Sequence, residues 1–183
     1  GETYYYLSQA LQRVGRGHEA VAAACQAASL LPQDGEVLLY AGRLCLAHSD
    51  SGAVEYLKKA MSHFPDDPQV HELLGESHQL VGNWRAAIEA LWAALRLDPT
   101  NPHIQQKIGV ASFHLGDHET AITLLKEASE RLPSDIEIKE SLGMVMEDAG
   151  WWQEATRARQ EAAELAPRDP DRLLAWARTA RQA

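Results

Sequence analysis

The chain is poor in the residues that mark several protein classes. Its 183 residues include two cysteines, Cys25 and Cys45, too few for the disulfide framework of a small secreted domain. Both fall within helical patterns and read as buried free thiols, with a single Cys25–Cys45 bridge as the alternative, and reduced thiols point to the cytoplasm. There are only two phenylalanines among 45% hydrophobic residues, and alanine is abundant, which suits closely packed helices better than a β-sandwich. Basic residues number 17 against 26 acidic, a net charge of −9. Nucleic-acid binding needs a basic stripe to neutralise phosphates, and anionic membrane surfaces need the same, so neither partner is expected. No apolar run approaches the roughly 20 residues that span a bilayer; the most apolar, residues 20–31, is interrupted by Gln26 and Ser29. The sequence opens Gly1-Glu2-Thr3 without an initiator methionine or signal peptide and reads as a piece of something longer.

Signatures of chemistry are missing too. There is no phosphate loop, no G-x-S-x-G elbow, no H-E-x-x-H and no C-x-x-C. Eight histidines invite a metal check. Cys45 and His48 are three apart, His71 and His78 seven apart, and Cys45 and His78 occupy one column of adjacent repeats. A zinc site built on them would need two further ligands, so no cofactor or metal is expected. Glu140 and Glu147 share a helix face, which solvation explains better than acid/base chemistry, and the chain reads as non-catalytic.

What the sequence does contain is a repeat. Pro32, Pro65, Pro99, Pro133 and Pro167 recur at intervals of 33, 34, 34 and 34. Ala20, Ala53, Ala87, Ala121 and Ala155 keep that register, as do Ala27, Ala60, Ala94, Ala128 and Ala162. Gly42, Gly75, Gly109 and Gly143 form another column, with Ser8 in the first copy, and Gly15, Gly82, Gly116 and Gly150 a fourth that the second copy lacks. The short second copy is expected to miss one residue from its turn near Ser49. Each unit reads as two helices. The turn glycine ends the first, in a left-handed conformation, and the proline closes the second. Asp67-Pro68, Asn101-Pro102 and Asp169-Pro170 pair an N-cap with a proline at the first helical position. Asp34, Ser134 or Asp135, Asn83 and Asp117 are the other candidate caps. Small columns let helices approach, while Leu7, Leu74, Ile108 and Leu142, with Leu57, Leu91 and Leu125, fill the space between. Such pairs bury a continuous core only by stacking.

These columns resemble the tetratricopeptide repeat family, whose unit of W-x2-L-G-x2-Y…A-x3-F…P has the same period. The large-residue columns depart from it. Tyr4, Leu38, His71, Gln105 and Lys139 stand in the tryptophan column, Leu11, Cys45, His78, Ser112 and Met146 in the tyrosine column, and Arg159 takes an apolar place in the last repeat. The resemblance implies an all-α fold: a right-handed α-solenoid of five helix pairs plus a C-terminal capping helix. It would form one domain over residues 1–183, with repeats at about 1–34, 35–67, 68–101, 102–135 and 136–169 and the capping helix at 170–183.

The resemblance also implies that the first helices line a concave groove. Residues spaced i, i+3, i+7, i+10 share one side of a helix. The candidate groove residues on that stripe are Tyr5, Gln9 and Gln12; Leu39, Arg43 and Leu46; Glu72, Glu76 and Gln79; His103, Gln106, Val110 and Phe113; and Glu140, Met144 and Glu147. Tyr5, Leu39, Leu46, Val110, Phe113 and Met144 are apolar where solvent is expected, which favours a partner site; burial between neighbouring first helices is the alternative. The acidic fifth stripe would either attract a basic segment or pair internally with Arg178 and Arg181, at about 0–1 kcal/mol per exposed pair. Only Arg43 is basic in the early stripes, which argues against clamping a ligand's terminal carboxylate. The expected function is to hold a protein or peptide segment in the groove. The alternatives are self-association through stacked ends, or service as the accessory arm of a larger enzyme.

Overall fold

The computed structural model describes residues 1–183 as eleven α-helices and no strand. Two compact units divide them, residues 1–99 and 100–183. The first holds α1 (Glu2–Arg13), α2 (Gly17–Leu30), α3 (Gly35–Ala47), α4 (Ala53–Met61), α5 (Pro68–Leu80) and α6 (Trp84–Leu97). The second holds α7 (Pro102–His114), α8 (His118–Arg131), α9 (Ile136–Asp148), α10 (Trp152–Leu165) and α11 (Pro170–Ala180). Consecutive helices pack as antiparallel pairs, three in the first unit and two in the second, and α11 packs against α10.

The caps form as the residue types dictate. Asp34, Asp67, Asn101, Asp135 and Asp169 each accept backbone N–H bonds at the start of a first helix; of the pair Ser134 and Asp135, it is Asp135 that caps. Asn83 and Asp117 cap α6 and α8. Trp151 occupies the same column before α10 and offers no acceptor, so that helix has no side-chain cap.

The turn inside each pair follows one pattern. Gly15, Gly82, Gly116 and Gly150 take φ of 72–81°. The next residue then donates its N–H to a carbonyl five residues back, as Asn83 does to His78 at 2.8 Å. The second repeat corrects the expectation of a turn shortened at Ser49. Ser49 itself takes the left-handed place at φ 56°, and Asp50 completes the same bond to Cys45 at 2.8 Å. The missing residue is lost after the turn, where α4 begins late and runs nine residues against fourteen in the other second helices.

Packing within a pair is set by volume complementarity. A Cβ on Gly42 would lie 2.6 Å from Leu57 Cγ, on Gly75 2.5 Å from Leu91 Cγ, and on Gly109 2.9 Å from Leu125 Cγ. Those three leucines are fully buried. The first pair meets the same constraint the other way round: Ala24 stands in the leucine column, so Ser8 fits opposite, its hydroxyl donating to the Ala20 carbonyl at 2.7 Å. In the last pair Arg159 lies over Gly143, with Cδ 3.0 Å from the built Cβ position. The two alanine columns are buried throughout. Leu7 departs from its column: Leu74 is buried in a core shared with α4, whereas α1 has no such neighbour and Leu7 is 46% exposed.

The cysteine and histidine candidates resolve individually. Cys25 and Cys45 are free thiols whose sulfurs lie 3.9 Å apart. His71 Nε2 is 2.7 Å from the Pro65 carbonyl. His78 is buried, which lowers its pKa with help from Lys58. No cluster of three or more His, Cys, Asp or Glu side chains has metal-holding geometry.

Two expectations follow. A left-handed L-residue costs about 1–2 kcal/mol, partly offset by the extra chain entropy of glycine, so Ser49→Gly should raise stability by roughly 0.5–1 kcal/mol, read as a higher urea midpoint at unchanged slope. Burial, with Cys25 adding, holds the Cys45 thiol well above the usual thiol range, and only the thiolate reacts. Alkylation of the folded protein should therefore modify Cys25 first and reach Cys45 only on unfolding, as peptide mass spectrometry would show.

Candidate functional site

The stripe residues fall on first helices in both units. In residues 1–99, Tyr5 is half-buried and its ring meets Tyr40 edge-on at 5.0 Å. The Tyr40 hydroxyl donates to Gln12 Oε1 at 3.4 Å and lies 3.1 Å from Ser8 Oγ, so α1 and α3 are tied side by side. Gln9 is half-buried and Gln12 exposed. Leu39 and Leu46 pack against the buried core. Arg43 is exposed and donates to Gln69 Oε1 at 3.0 Å, tying α3 to α5. Glu72, Glu76 and Gln79 are half-buried on α5.

The second unit repeats the arrangement. His103 is exposed, 3.9 Å from Asp135. Gln106 donates to Ser141 Oγ at 3.2 Å, joining α7 to α9. Val110 is half-buried, and Phe113 and Met144 flank the core of this unit. His118 stands edge-on to Phe113 at 5.6 Å between ring centroids and bonds Asp148 at 2.8 Å. The six apolar stripe residues are thus neither free nor lost: each is partly covered by its neighbours and keeps part of its surface open.

The acidic stripe on α9 pairs internally, but not with the expected partners. Glu140 accepts from Arg172 at 2.7 Å. Glu147 accepts two bonds from Arg159, at 3.1 and 3.0 Å, and another from the Thr179 hydroxyl. Arg178 and Arg181, the partners expected from the sequence, instead line a cavity of about 410 Å³ bounded also by Glu147, Trp152, Arg159 and Gln182. Arg159 wins because it comes from the second helix of the same pair, directly over Gly143 and within reach of the next turn of α9. Burial alone would push the Glu147 carboxyl up, but the hydrogen bonds from Arg159 and Thr179 and the Arg159 charge hold it below its ordinary value.

The sequence reading passed over Trp152 and Thr179. Trp152 had a signal, since Trp84, His118 and Trp152 share one column of the repeat at the start of their second helices. Thr179 had none, because its partner is set by the rotation of α11 rather than by any motif.

Paired helices, turn geometry and columns in register define an all-α helical-repeat protein. A family model described as tetratricopeptide repeat matches residues 80–144, and the same columns run through the remaining pairs, so the chain is similar to the tetratricopeptide repeat family. Comparison with curated proteins gave no match. Solved structures share the fold across nearly the whole chain. A MamA protein superposes with a TM-score of 0.77 at 24% identity, covering 90% of each chain. Residues 41 to the end of MamA from Desulfovibrio magneticus RS-1 give 0.80 at 20% identity, covering 92% of this chain and 96% of that one. TTC0263, a thermophilic TPR protein from Thermus thermophilus, gives 0.73 at 24%, covering 98% of each.

The Glu147 cluster makes a pH prediction. A carboxyl whose folded pKa is lowered contributes stability above its unfolded value, and that contribution is lost as pH falls through the folded value. Urea midpoints should therefore drop on acidification below about pH 4.5, and Glu147→Gln should have a lower midpoint at neutral pH and a flatter acid limb. An unchanged acid limb would show that other carboxylates govern it.

Proposed function

We propose that the chain is a non-catalytic protein-interaction module that holds an extended or helical peptide segment along its first helices. The observation that carries this reading is the lateral tying of those helices within each unit. Tyr40 to Gln12, Arg43 to Gln69, Gln106 to Ser141 and Arg172 to Glu140 hold the stripe residues of neighbouring first helices in fixed rows. A row assembled before binding loses little conformational entropy when a segment settles on it. Half-open apolar side chains such as Tyr5, Val110, Phe113 and Met144, set among polar ones, suit a peptide whose backbone needs hydrogen bonds and whose apolar residues need cover. Tetratricopeptide architecture alone does not assign a partner, because function is grafted onto a repeat fold by its surface.

A second reading, self-association through the terminal helices, is favoured by apolar exposure there. Tyr6 and Leu7 on α1 are 63% and 46% exposed, and Leu174 on α11 is 53% exposed.

Affinity capture from the native cell extract, followed by mass spectrometry, tests both. Tyr5→Ser, Val110→Ser and Phe113→Ser, each checked for intact helicity, should lose the bound protein by about tenfold or more, as loss of an interface anchor does. Trp92→Ser, on the exposed face of the second helix α6, should retain it. Loss in Trp92→Ser alone would move the site to the second helices. Recovery of only the chain itself, with a mass that rises with concentration, would favour self-association.

A further inference from the structure

We propose that the cavity between α9, α10 and α11 binds acidic side chains of a peptide segment lying along the first helices of residues 100–183. The inference rests on the peptide-binding reading above and takes the opposite sign from the basic segment that was one of two readings of the acidic stripe. The carboxylates of α9 left open a basic segment or internal pairing, and in the structure Glu140 and Glu147 are engaged internally, Glu140 by Arg172 and Glu147 by Arg159 and Thr179. What is left over is positive. The guanidinium groups of Arg178 and Arg181 line the cavity and make no hydrogen bond or ion pair. Counting Arg159 and Glu147, the lining carries three positive charges and one negative.

The site is shaped as well as charged. Arg159 stands where the three preceding pairs carry leucine. Its side chain is only 16% exposed, and the bidentate bond to Glu147 fixes the plane of its guanidinium. Trp152, 38% exposed, forms an aromatic wall. The fixed positive charge of Arg159, two exposed guanidinium groups with free donors and an aromatic surface suit planar carboxylates carried on short apolar stems. A polyanionic nucleic acid fits poorly, because its long phosphate track would run onto a protein of net charge −9. Arg178 and Arg181 fall on the same i, i+3, i+7, i+10 stripe of α11 that Glu140 and Glu147 occupy on α9, so a segment following the row brings its side chains over the cavity.

Fluorescence anisotropy with short labelled peptides tests this on the intact chain, using a glutamate-rich probe, a lysine-rich probe and a single-stranded oligonucleotide. The glutamate probe should bind best, and raising salt should weaken it. Arg178→Glu/Arg181→Glu should lose at least about tenfold in its affinity and gain for the lysine probe. Both positions are exposed, so the fold should be kept; if circular dichroism shows otherwise, Arg178→Gln and Arg181→Gln singly carry the test with the same expected direction. Equal affinity of wild type and variants for the glutamate probe, or a wild-type preference for the lysine probe or the oligonucleotide, would overturn the inference. Loss of the native partner in Phe113→Ser together with unchanged capture by the Arg178/Arg181 variants would overturn it while leaving the peptide-binding reading standing.

Discussion

Everything in this molecule depends on two helices coming close enough for a side chain on one to occupy the place of a missing side chain on the other. Leucine over glycine does this at Gly42–Leu57, Gly75–Leu91 and Gly109–Leu125. The contact buries the whole leucine, worth about 1.5–3 kcal/mol, and it fixes both the spacing of the helices and their rotation. The alanine columns carry that closeness along the second helix. With the rotation fixed, the opposite stripe of each first helix has to face outward. The candidate surface is therefore a by-product of the packing column.

Those features were legible because they are local and recur. A cap needs a short acceptor before a helix, a turn needs a residue that tolerates positive φ, and a close approach needs a small residue; repetition in one register turns each into a column. Ser49 shows the limit. The eye reads a vanished glycine as a vanished turn, but the backbone keeps the turn and sheds a residue from the next helix instead. The candidate surface was less legible for a related reason. Helical spacing says which residues share a side, and the stripes are where that rule puts them. It does not say how much neighbouring helices cover, so the burial of Leu39 and Leu46 against the core was open until the helices were placed. Nor does it say which of several arginines reaches a given glutamate, and here second-helix Arg159 displaced the expected Arg178 and Arg181.

The electrostatics show the same layering. A net charge of −9 describes the molecule at long range and governs what is repelled from a distance. Within a few ångströms the relevant quantity is the charge left after internal pairing, and this can have the opposite sign. On α9, Glu140 and Glu147 are engaged in holding α11 and α10 in place. The same groups that make the sequence look like bait for a basic partner are part of the internal cohesion of residues 100–183.

Arg159 has one further consequence, which concerns folding rather than binding. Repeats that share their packing columns invite mispairing, since a second helix can dock on the wrong first helix one repeat away with its alanine and leucine columns still satisfied. Slipping α10 back by one whole repeat would bring Arg159 against Phe113, which holds the column position of Glu147. The guanidinium would then lie half-buried with no carboxylate to meet it, a penalty of several kcal/mol for an unpaired charge. A single arginine in the leucine column thus makes one helix pair non-interchangeable and gives the array an internal bookmark from which its order can be counted.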